Sequence, residues 1–572
     1  MYLWVNLYVD GAENVPIIGI DLGTTNSLVT CYVNGECVII PNALGEKLTP
    51  SVVSVLETGE IITGSAAKER LVTHPHLTAA VFKRHMGTVK NYDLEKYIFT
   101  PTELSAIVLR ALKADAESFL GSEVTEAIIS VPAYFNDHQR RATKEAGQLA
   151  GLKVERLINE PTAAAVAYGL NQVEEEQQLL IFDLGGGTFD VSVLDMFDNV
   201  MEIRAVAGDN FLGGEDFDEA LIRYFLEKHQ LKLGGQTSKV YAMLKKQAES
   251  CKLALTTQNC SEMTCTINET TYTLEITAQD FEKLAMELLA KLKKPLQKAL
   301  KDADIAPEEL DHVVLVGGST KMPVIRLFTA RLFGQLPLSH LNPDEVVGIG
   351  AGIYAAMKER NESLRETVLT DVCPYTLGIE IIGERFSPII ERNTVIPFSK
   401  VDTFCNVHEG QSVIKVNIFQ GESRKVANNL KLGEITIDFP PAKRAGESVI
   451  DVRFTYDING ILEVEVVSRI TKEKKSLIIM NSNTSLTDEE ISIRLKEIEK
   501  LKIHPREDHK NRFLLAKGER LYEEMLSDKR HQLALEIEKF EHVLDRQNPL
   551  EINKAALTFE QHLRSVEDWP ER

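Results

Sequence analysis

Gly19-Ile-Asp-Leu-Gly-Thr-Thr-Asn-Ser27 recurs in altered form as Phe182-Asp-Leu-Gly-Gly-Gly-Thr-Phe-Asp190. Each copy lies where a short apolar run of strand type ends in a turn rich in glycine and threonine. Two strands that end in the same kind of loop are typical of two related lobes. The repeat therefore predicts an α/β fold in which equivalent loops face a shared cleft.

The first loop has the chemistry to bind phosphate. Gly23 has no side chain, so a phosphate group can approach the backbone there. The amides and hydroxyls of Thr24 and Thr25 can donate hydrogen bonds to phosphate oxygens, and Asp21 can hold magnesium through water. An ordinary glycine-rich turn is the alternative for this loop taken alone.

The second loop repeats this chemistry with Gly185-Gly-Gly187, where Thr188 can reach a terminal phosphate. Asp183 and Asp190 are available to a metal ion or to water. Two such loops are harder to explain as ordinary turns than one. The sequence has no Gly-x-x-x-x-Gly-Lys-Ser/Thr loop and no His-Arg-Asp triplet, which excludes a P-loop enzyme and a protein kinase.

The composition is that of a soluble globular chain with several domains. At 572 residues it is too long for one core, and its net charge of -21 disfavours binding to nucleic acid or to anionic membranes. The seven cysteines show no zinc-type spacing and indicate free thiols. There is no secretory signal and no apolar run of about 18 residues, so we expect a cytoplasmic protein without a membrane span.

Residues 17–359 alternate apolar strands with amphipathic helices. The clearest predicted strands are Ile17–Asp21, Ala127–Val131, Leu179–Asp183 and Val313–Val316. The clearest predicted helices are Ser105–Phe119, Asp137–Ala150 and Asp280–Asp302, the last with a bend at Pro295.

After Pro374 the pattern changes to short alternating strands. Ile450 to Val466 reads as a hairpin around the turn Asn459-Gly460, and Ser412 to Phe419 reads as another strand. Thr487-Asp-Glu-Glu490 is a capping box that starts a charged helical segment, which Pro505 and Asn548-Pro549 interrupt.

The chain resembles the heat shock protein 70 (DnaK) chaperone family over nearly its whole length from Ile17. The resemblance rests on the two loops and on several further motifs: Val131-Pro-Ala-Tyr-Phe-Asn136, Leu157-Ile-Asn-Glu-Pro-Thr-Ala-Ala-Ala165, Gly213-Gly-Glu-Asp-Phe217, Val316-Gly-Gly-Ser-Thr320 and Asn342-Pro-Asp-Glu345. Within the family, Thr370-Asp-Val-Cys-Pro-Tyr375, Phe386-Ser-Pro-Ile-Ile-Glu-Arg392 and the short C-terminus resemble the HscC subgroup.

This resemblance implies an α/β actin-like ATPase domain of two lobes, a β-sandwich peptide-binding domain and a short α-helical lid. The boundaries it implies are an N-terminal extension at 1–16, the nucleotide-binding domain at 17–362, a linker at 363–371, the sandwich at 372–484 and the lid at 485–572. It also implies an ATP-dependent chaperone that binds and releases extended apolar segments of unfolded proteins.

The implied cofactors are ATP or ADP and Mg²⁺, with K⁺ as a further candidate. By similarity, Lys83 in Phe82-Lys-Arg-His85 approaches the γ-phosphate and Glu160 lies beside the attacking water, although a lone lysine is ordinarily a solvated side chain. Asp21, Asp183 and Thr188 complete the implied catalytic set. The implied nucleotide-binding residues are Gly23, Thr24, Thr25, Asn26, Gly185, Gly186, Gly187, Gly213, Gly214, Glu249, Lys252, Thr256, Gly317, Gly318, Ser319, Lys321 and Asp344.

The resemblance also implies a relay and a peptide groove. Pro132, Arg140 and Asp371 match the allosteric positions, with a plain strand terminator as the alternative for Pro132. The linker Thr367-Val-Leu-Thr370-Asp371 is less apolar than is usual in the family, so we expect it to dock more weakly.

The implied groove residues are Leu377, Ile379, Ile382, Phe404, Val407, Ile414, Val416 and Ile418. Plain sandwich core is the alternative for about half of them.

The implied partners are unfolded clients and a J-domain co-chaperone. Compared with DnaK, the chain is shorter between Met86 and Thr102 and between Thr256 and Thr270, the second being near where the usual exchange factor binds. Nucleotide exchange without that factor is therefore expected.

In place of the arginine that stacks on adenine in many relatives the chain has Leu253, which predicts altered nucleotide affinity. An actin-like sugar kinase and an actin-like filament protein remain alternatives on the paired loops alone.

Overall fold

The computed structural model describes residues 17–169, 176–197, 200–232, 239–267, 270–338, 341–359, 368–457, 460–479, 505–507, 509–525 and 527–567. The predicted N-terminal extension, the first part of the linker, Asn459 and the capping box at Thr487 lie outside these residues. The chain forms two compact units that divide between Pro374 and Tyr375. Among the described helices, none is long and apolar enough to cross a membrane.

The first unit alternates strands and helices, as predicted. Its strands are β1 (Ile18–Asp21), β2 (Asn26–Val33), β3 (Glu36–Ile40), β4 (Thr49–Pro50), β5 (Val52–Val55), β6 (Ile61–Thr63), β7 (Thr78–Ala80), β8 (Tyr92–Leu94), β9 (Tyr97–Phe99), β10 (Ala127–Val131), β11 (Leu157–Asn159), β12 (Gln177–Leu184), β13 (Phe189–Phe197), β14 (Val200–Asp209), β15 (Cys260–Ile267), β16 (Thr270–Thr277), β17 (His312–Val316) and β18 (Val368–Val372). Its helices are α1 (Ser65–Thr73), α2 (Pro101–Leu120), α3 (Asp137–Leu149), α4 (Glu160–Gly169), α5 (Gly214–Lys228), α6 (Lys239–Ala254), α7 (Ala278–Ala303), α8 (Pro323–Phe333) and α9 (Val346–Lys358).

Two sheets in this unit repeat one topology. The first has the order β11-β10-β1-β2-β3, and the second has the order β17-β12-β13-β14-β18. In each sheet the strand before the glycine loop runs parallel to a later strand, β10 or β17, and antiparallel to the strand that follows the loop. The two loops therefore occupy equivalent positions, and the predicted α/β fold with two lobes is confirmed.

Each lobe is built around its own apolar core. Ile18 and Ile20 of β1 lie in the core of the first lobe, whereas Phe182 and Phe189 lie in that of the second. Helix α9 packs closely across β1. The approach requires glycine at position 19, since a Cβ there would lie 2.2 Å from the backbone nitrogen of Gly352. This contact fixes the strand that carries the first loop.

Helix α2 begins four residues earlier than predicted. Thr100 caps it, because its Oγ1 accepts a hydrogen bond from the Glu103 amide at 3.2 Å and the Glu103 carboxylate returns one to the Thr100 amide. Pro101 fits the first helical position, where no amide donor is needed. This capping box was visible in the sequence. Pro295 lies inside α7, which continues through it.

The second unit is a sandwich of short strands. Its strands are β19 (Leu377–Ile381), β20 (Arg385–Ile390), β21 (Val395–Ile396), β22 (Phe398–Cys405), β23 (Val413–Gln420), β24 (Leu430–Asp438), β25 (Val449–Tyr456), β26 (Leu462–Ser468) and β27 (Lys474–Ile479). Among the described residues, all of these strands except β21 form two four-stranded sheets, with the orders β20-β19-β23-β24 and β22-β25-β26-β27. The predicted hairpin is β25 and β26, in which Tyr456 pairs with Leu462.

Three helices follow among the described residues of the second unit: α10 (His509–Glu524), α11 (Ser527–Arg546) and α12 (Pro549–Glu567). The predicted break at Asn548-Pro549 separates the last two. They share a core of buried apolar side chains: Leu514, Leu521, Leu533, Ile537, Phe540, Leu544, Ile552, Ala556, Phe559 and Leu563.

Candidate active site

A cavity of about 370 Å³ lies between the two lobes of the first unit. Most of the residues that the sequence singled out line it: Asp21, Gly23, Thr24, Thr25, Asn26, Lys83, Glu160, Asp183, Gly185, Gly186, Thr188, Gly214, Glu249, Lys252, Thr256, Gly317, Gly318, Ser319, Lys321 and Asp344. Further lining residues are Leu48, Lys68, Glu215, Asp218, Leu253, Met322, Pro343 and Val347.

Three residues expected at the site lie behind its wall instead. Gly187 of the second loop packs closely against Gly213 at the start of α5, since a Cβ on Gly213 would lie 2.5 Å from the Gly187 amide nitrogen. Asp190 pairs with Asp183 across β12 and β13 and is fully buried. Its Oδ1 accepts a hydrogen bond from the Tyr134 amide at 3.0 Å.

A buried ion pair lies at the floor of the cavity. Lys83 Nζ is 2.7 Å from Glu160 Oε1, and both side chains are nine-tenths or more buried. Lys83 is positioned by a short 3₁₀ turn at Phe82–His85, whereas Glu160 begins α4. Two elements that are far apart in sequence thus bring a cation and a carboxylate together beneath the loops.

The floor carries more negative than positive charge. Burial, and then the charge of Glu160, raises the pKa of Asp21 to about 6 and that of Asp190 to about 8. The same two causes raise the pKa of Asp183. Ser130 Oγ donates to Asp21 Oδ1 at 2.7 Å, which partly offsets the rise for Asp21. Such a cluster is stabilised by a cation.

These residues fit a magnesium ion. Asp183 Oδ2 is buried and has no hydrogen-bond partner among the described residues. An orphaned carboxylate oxygen of this kind is a natural acceptor for metal-bound water. In the described part of the chain no three His, Cys, Asp or Glu side chains are grouped closely enough to ligate a metal directly.

The two glycine loops touch each other across the cleft. A Cβ on Gly186 would lie 1.9 Å from Thr25 Oγ1, so only glycine fits there. Ser319 Oγ, from the turn after β17, donates to the Gly185 carbonyl at 2.8 Å. Arg84 Nε donates to the Gly187 carbonyl at 2.9 Å. The second loop is therefore held from both lobes.

The outer part of the cavity contains charged pairs that the sequence analysis did not identify in full. Lys252 Nζ lies 2.8 Å from Asp218 Oδ2, and burial raises the pKa of Asp218 to about 7. Lys68 of α1 lies 2.9 Å from Glu249 of α6 and joins the lobes. Asp218 was detectable, because it directly follows the motif Gly213-Gly-Glu-Asp-Phe217. Lys68 carried no motif.

The predicted allosteric residues lie close together. Arg140 donates to Asn159 Oδ1 at 2.7 Å, and Asn159 Nδ2 donates to both carboxylate oxygens of Asp371, at 2.9 and 2.7 Å. Burial raises the pKa of Asp371, and Arg140 opposes this. Pro132 is buried at the end of β10, where its carbonyl accepts from the Phe135 amide. The end of the predicted linker forms β18, which pairs with β14.

The predicted groove residues divide into two groups. Leu377, Ile379, Val416 and Ile418 are at most 3% exposed and belong to the interior of the sandwich. Ile382 and Val407 are exposed, at 58% and 38%, and Phe404 and Ile414 are half-buried. The alternative of plain core thus describes the first four, and the second four are accessible to a ligand.

Two lobes that present equivalent glycine loops above a buried acidic centre define the class of two-lobed nucleotide-hydrolysing proteins. The family model described as Hsp70 protein matches residues 17–98 and 88–569, and the chain therefore belongs to the Hsp70 family. Its members are ATP-dependent chaperones with ATPase activity that use ATP or ADP with Mg²⁺ and generally bind unfolded clients and J-domain co-chaperones. This membership and the sandwich favour a chaperone over a sugar kinase or a filament protein.

Proposed function

We propose that the chain is a specialised, HscC-like chaperone in which ATP hydrolysis controls the binding and release of extended apolar peptide segments. The observation that carries the proposal is the buried Lys83–Glu160 pair beneath two phosphate loops, with Asn159 next to Glu160 bound to Asp371. The cavity is thereby linked to the segment that leads into the β-sandwich.

In this proposal the floor of the cleft carries out hydrolysis by position and charge. Asp21 and Asp183 would hold the magnesium ion, and Asp190 would support them from behind. Lys83 stabilises charge on the terminal phosphate, whereas Glu160 orients the attacking water. Thr24 and Thr188 donate to the phosphate chain. When bound, the magnesium ion neutralises phosphate charge.

The nucleoside lies on the outer wall of the cleft in this proposal. Glu249, Lys252 and Thr256 contact it from one side, and Gly317, Gly318 and Ser319 contact it from the other. Leu253, which is 58% exposed, offers an apolar edge without the cationic stacking of an arginine. We infer weaker adenine stacking than in relatives that have arginine there.

The accessible groove residues form the peptide site. Ile382 and Val407 arch over an extended segment, and Ile414 and Phe404 form the pocket for one apolar side chain. Leu377, Ile379, Val416 and Ile418 support the groove from inside the sandwich. We further propose a cytoplasmic protein that works with a J-domain partner and exchanges nucleotide without a dedicated factor.

A steady-state assay of the full chain tests this function. Unfolded apolar peptide and a J-domain protein, added together, should stimulate phosphate release from ATP. Sugars serve as the competing substrates, and labelled γ-phosphate is followed to its acceptor. Transfer of phosphate to a sugar, or a rate that peptide and J-domain protein leave unchanged, would contradict the proposal.

A further inference from the structure

Arg84 is the one cation in the motif Phe82-Lys-Arg-His85 that reaches from the first lobe into the second among the described residues. Its Nε donates to the Gly187 carbonyl at 2.9 Å, and its Nη2 lies 2.5 Å from Asp216 Oδ2. The Arg84 side chain is 14% exposed, so these bonds are poorly screened by solvent. One guanidinium thus binds the second phosphate loop and the start of α5 together.

Asp216 has a second partner that makes this contact rigid. Its Oδ2 also accepts a hydrogen bond from the Gly213 amide at 2.8 Å, at the N-terminus of α5. Gly213 in turn packs against the Gly187 amide. Arg84 therefore contacts both the second loop and the start of α5, and it is adjacent in sequence to Lys83 at the floor of the cleft.

We propose that Arg84 is a positioning residue that clamps the second phosphate loop and holds the lobes closed on the nucleotide. This inference rests on the proposed function of the cleft. A planar guanidinium can satisfy a carbonyl and a carboxylate at once, whereas a lysine can offer only a point charge. The clamp slows release of the nucleotide and keeps Gly185–Thr188 in place for hydrolysis.

Arg70 offers a matched control within the first lobe. It is 16% exposed, its Nε donates to Ser54 Oγ at 2.9 Å and its Nη2 donates to the Val55 carbonyl at 3.2 Å, but it does not reach the second lobe. An arginine with similar burial and similar bonds is thus available that does not cross the cleft.

The test measures release of fluorescent ADP from the full chain by stopped flow, together with kcat and KM for ATP. Arg84→Ala should speed ADP release about tenfold or more, the effect expected from loss of a charge-assisted hydrogen bond. Asp216→Asn keeps an acceptor for the Gly213 amide and should speed ADP release by a similar factor. In the double variant Arg84→Ala/Asp216→Asn the two effects on the release rate should not add. Arg84→Lys should restore slow ADP release in part but should not restore the wild-type kcat. Arg70→Ala should leave the rate of ADP release unchanged.

The clamp is overturned if folded Arg84→Ala releases ADP within about twofold of the wild type, or if Arg70→Ala has the same effect. Thermal unfolding of each variant separates loss of folding from loss of the clamp. Absence of ADP binding by the wild type would instead contradict the proposed function itself, so the two failures are distinguishable.

Discussion

Replacing Lys83 by alanine removes the cation that lies 2.7 Å from Glu160 at the floor of the cleft. Loss of one partner of a buried ion pair typically costs about 3–5 kcal/mol, because the remaining charge is left uncompensated. Here Asp21 and Asp183 lie nearby, and the pKa of each is already raised by burial and then by the charge of Glu160. Lys83→Ala should therefore lower Tm and reduce kcat by about 10²–10³-fold, the usual loss for one electrostatic donor.

Stability and catalysis should separate when the unpaired carboxylate is also neutralised. The double variant Lys83→Ala/Glu160→Gln should recover most of the lost Tm but not kcat, and ADP affinity should change by less than about tenfold in both variants. Lys358→Ala is the control, because it removes a lysine that also pairs with a carboxylate, with Lys358 Nζ 2.7 Å from Glu155 Oε2, but that does not line the cavity. Calorimetry and single-turnover hydrolysis measure the two effects. Hydrolysis within about tenfold of the wild type in both Lys83 variants would refute the reasoning.

Three further predictions concern the outer cavity and the sandwich. The pKa of Asp218 rises on folding to about 7, so its contribution to stability is complete at low pH and is lost as the pH rises towards 7. Asp218→Asn should remove that slope, by up to about 1.4 kcal/mol per pH unit between pH 5 and 7, as calorimetry at several pH values would show. Ile414→Phe should weaken binding of an apolar peptide in fluorescence anisotropy with basal ATPase and Tm unchanged, whereas Ile418→Ala should lower Tm because it opens a cavity in the core. Lys68→Ala breaks a partly exposed pair with Glu249 across the cleft and should speed ADP release only about two- to threefold, with an effect that disappears at high salt.

The repeated loop made the fold predictable because it marks equivalent ends of two strands. Both loops follow a strand, as predicted, and the hairpin around Gly460 was visible as alternation on both sides of a turn. Strand β18 was missed as a strand, because Asp371 has low strand propensity and the pairing with β14 cannot be read from the local sequence.

The site was predictable where a motif carried it and unpredictable where only packing did. The residues of the two loops appeared in the sequence as glycines and hydroxyls at fixed spacing. Arg84 and Lys68 act across the cleft, and no local pattern distinguishes them from solvated cations. In the sandwich, alternation could not separate groove from core, because Ile414 and Ile418 lie on the same strand and differ only in how much each is covered.

The most direct test of the account is whether nucleotide in the cleft controls peptide release. A labelled apolar peptide is bound to the full chain with ADP, and its dissociation is followed after excess ATP or excess ADP is added. ATP should speed dissociation about tenfold or more, a coupling within the usual range for linked sites, and Asp371→Ala should abolish the difference. Equal dissociation rates with ATP and ADP in the wild type would contradict the claim that the two loops time peptide release.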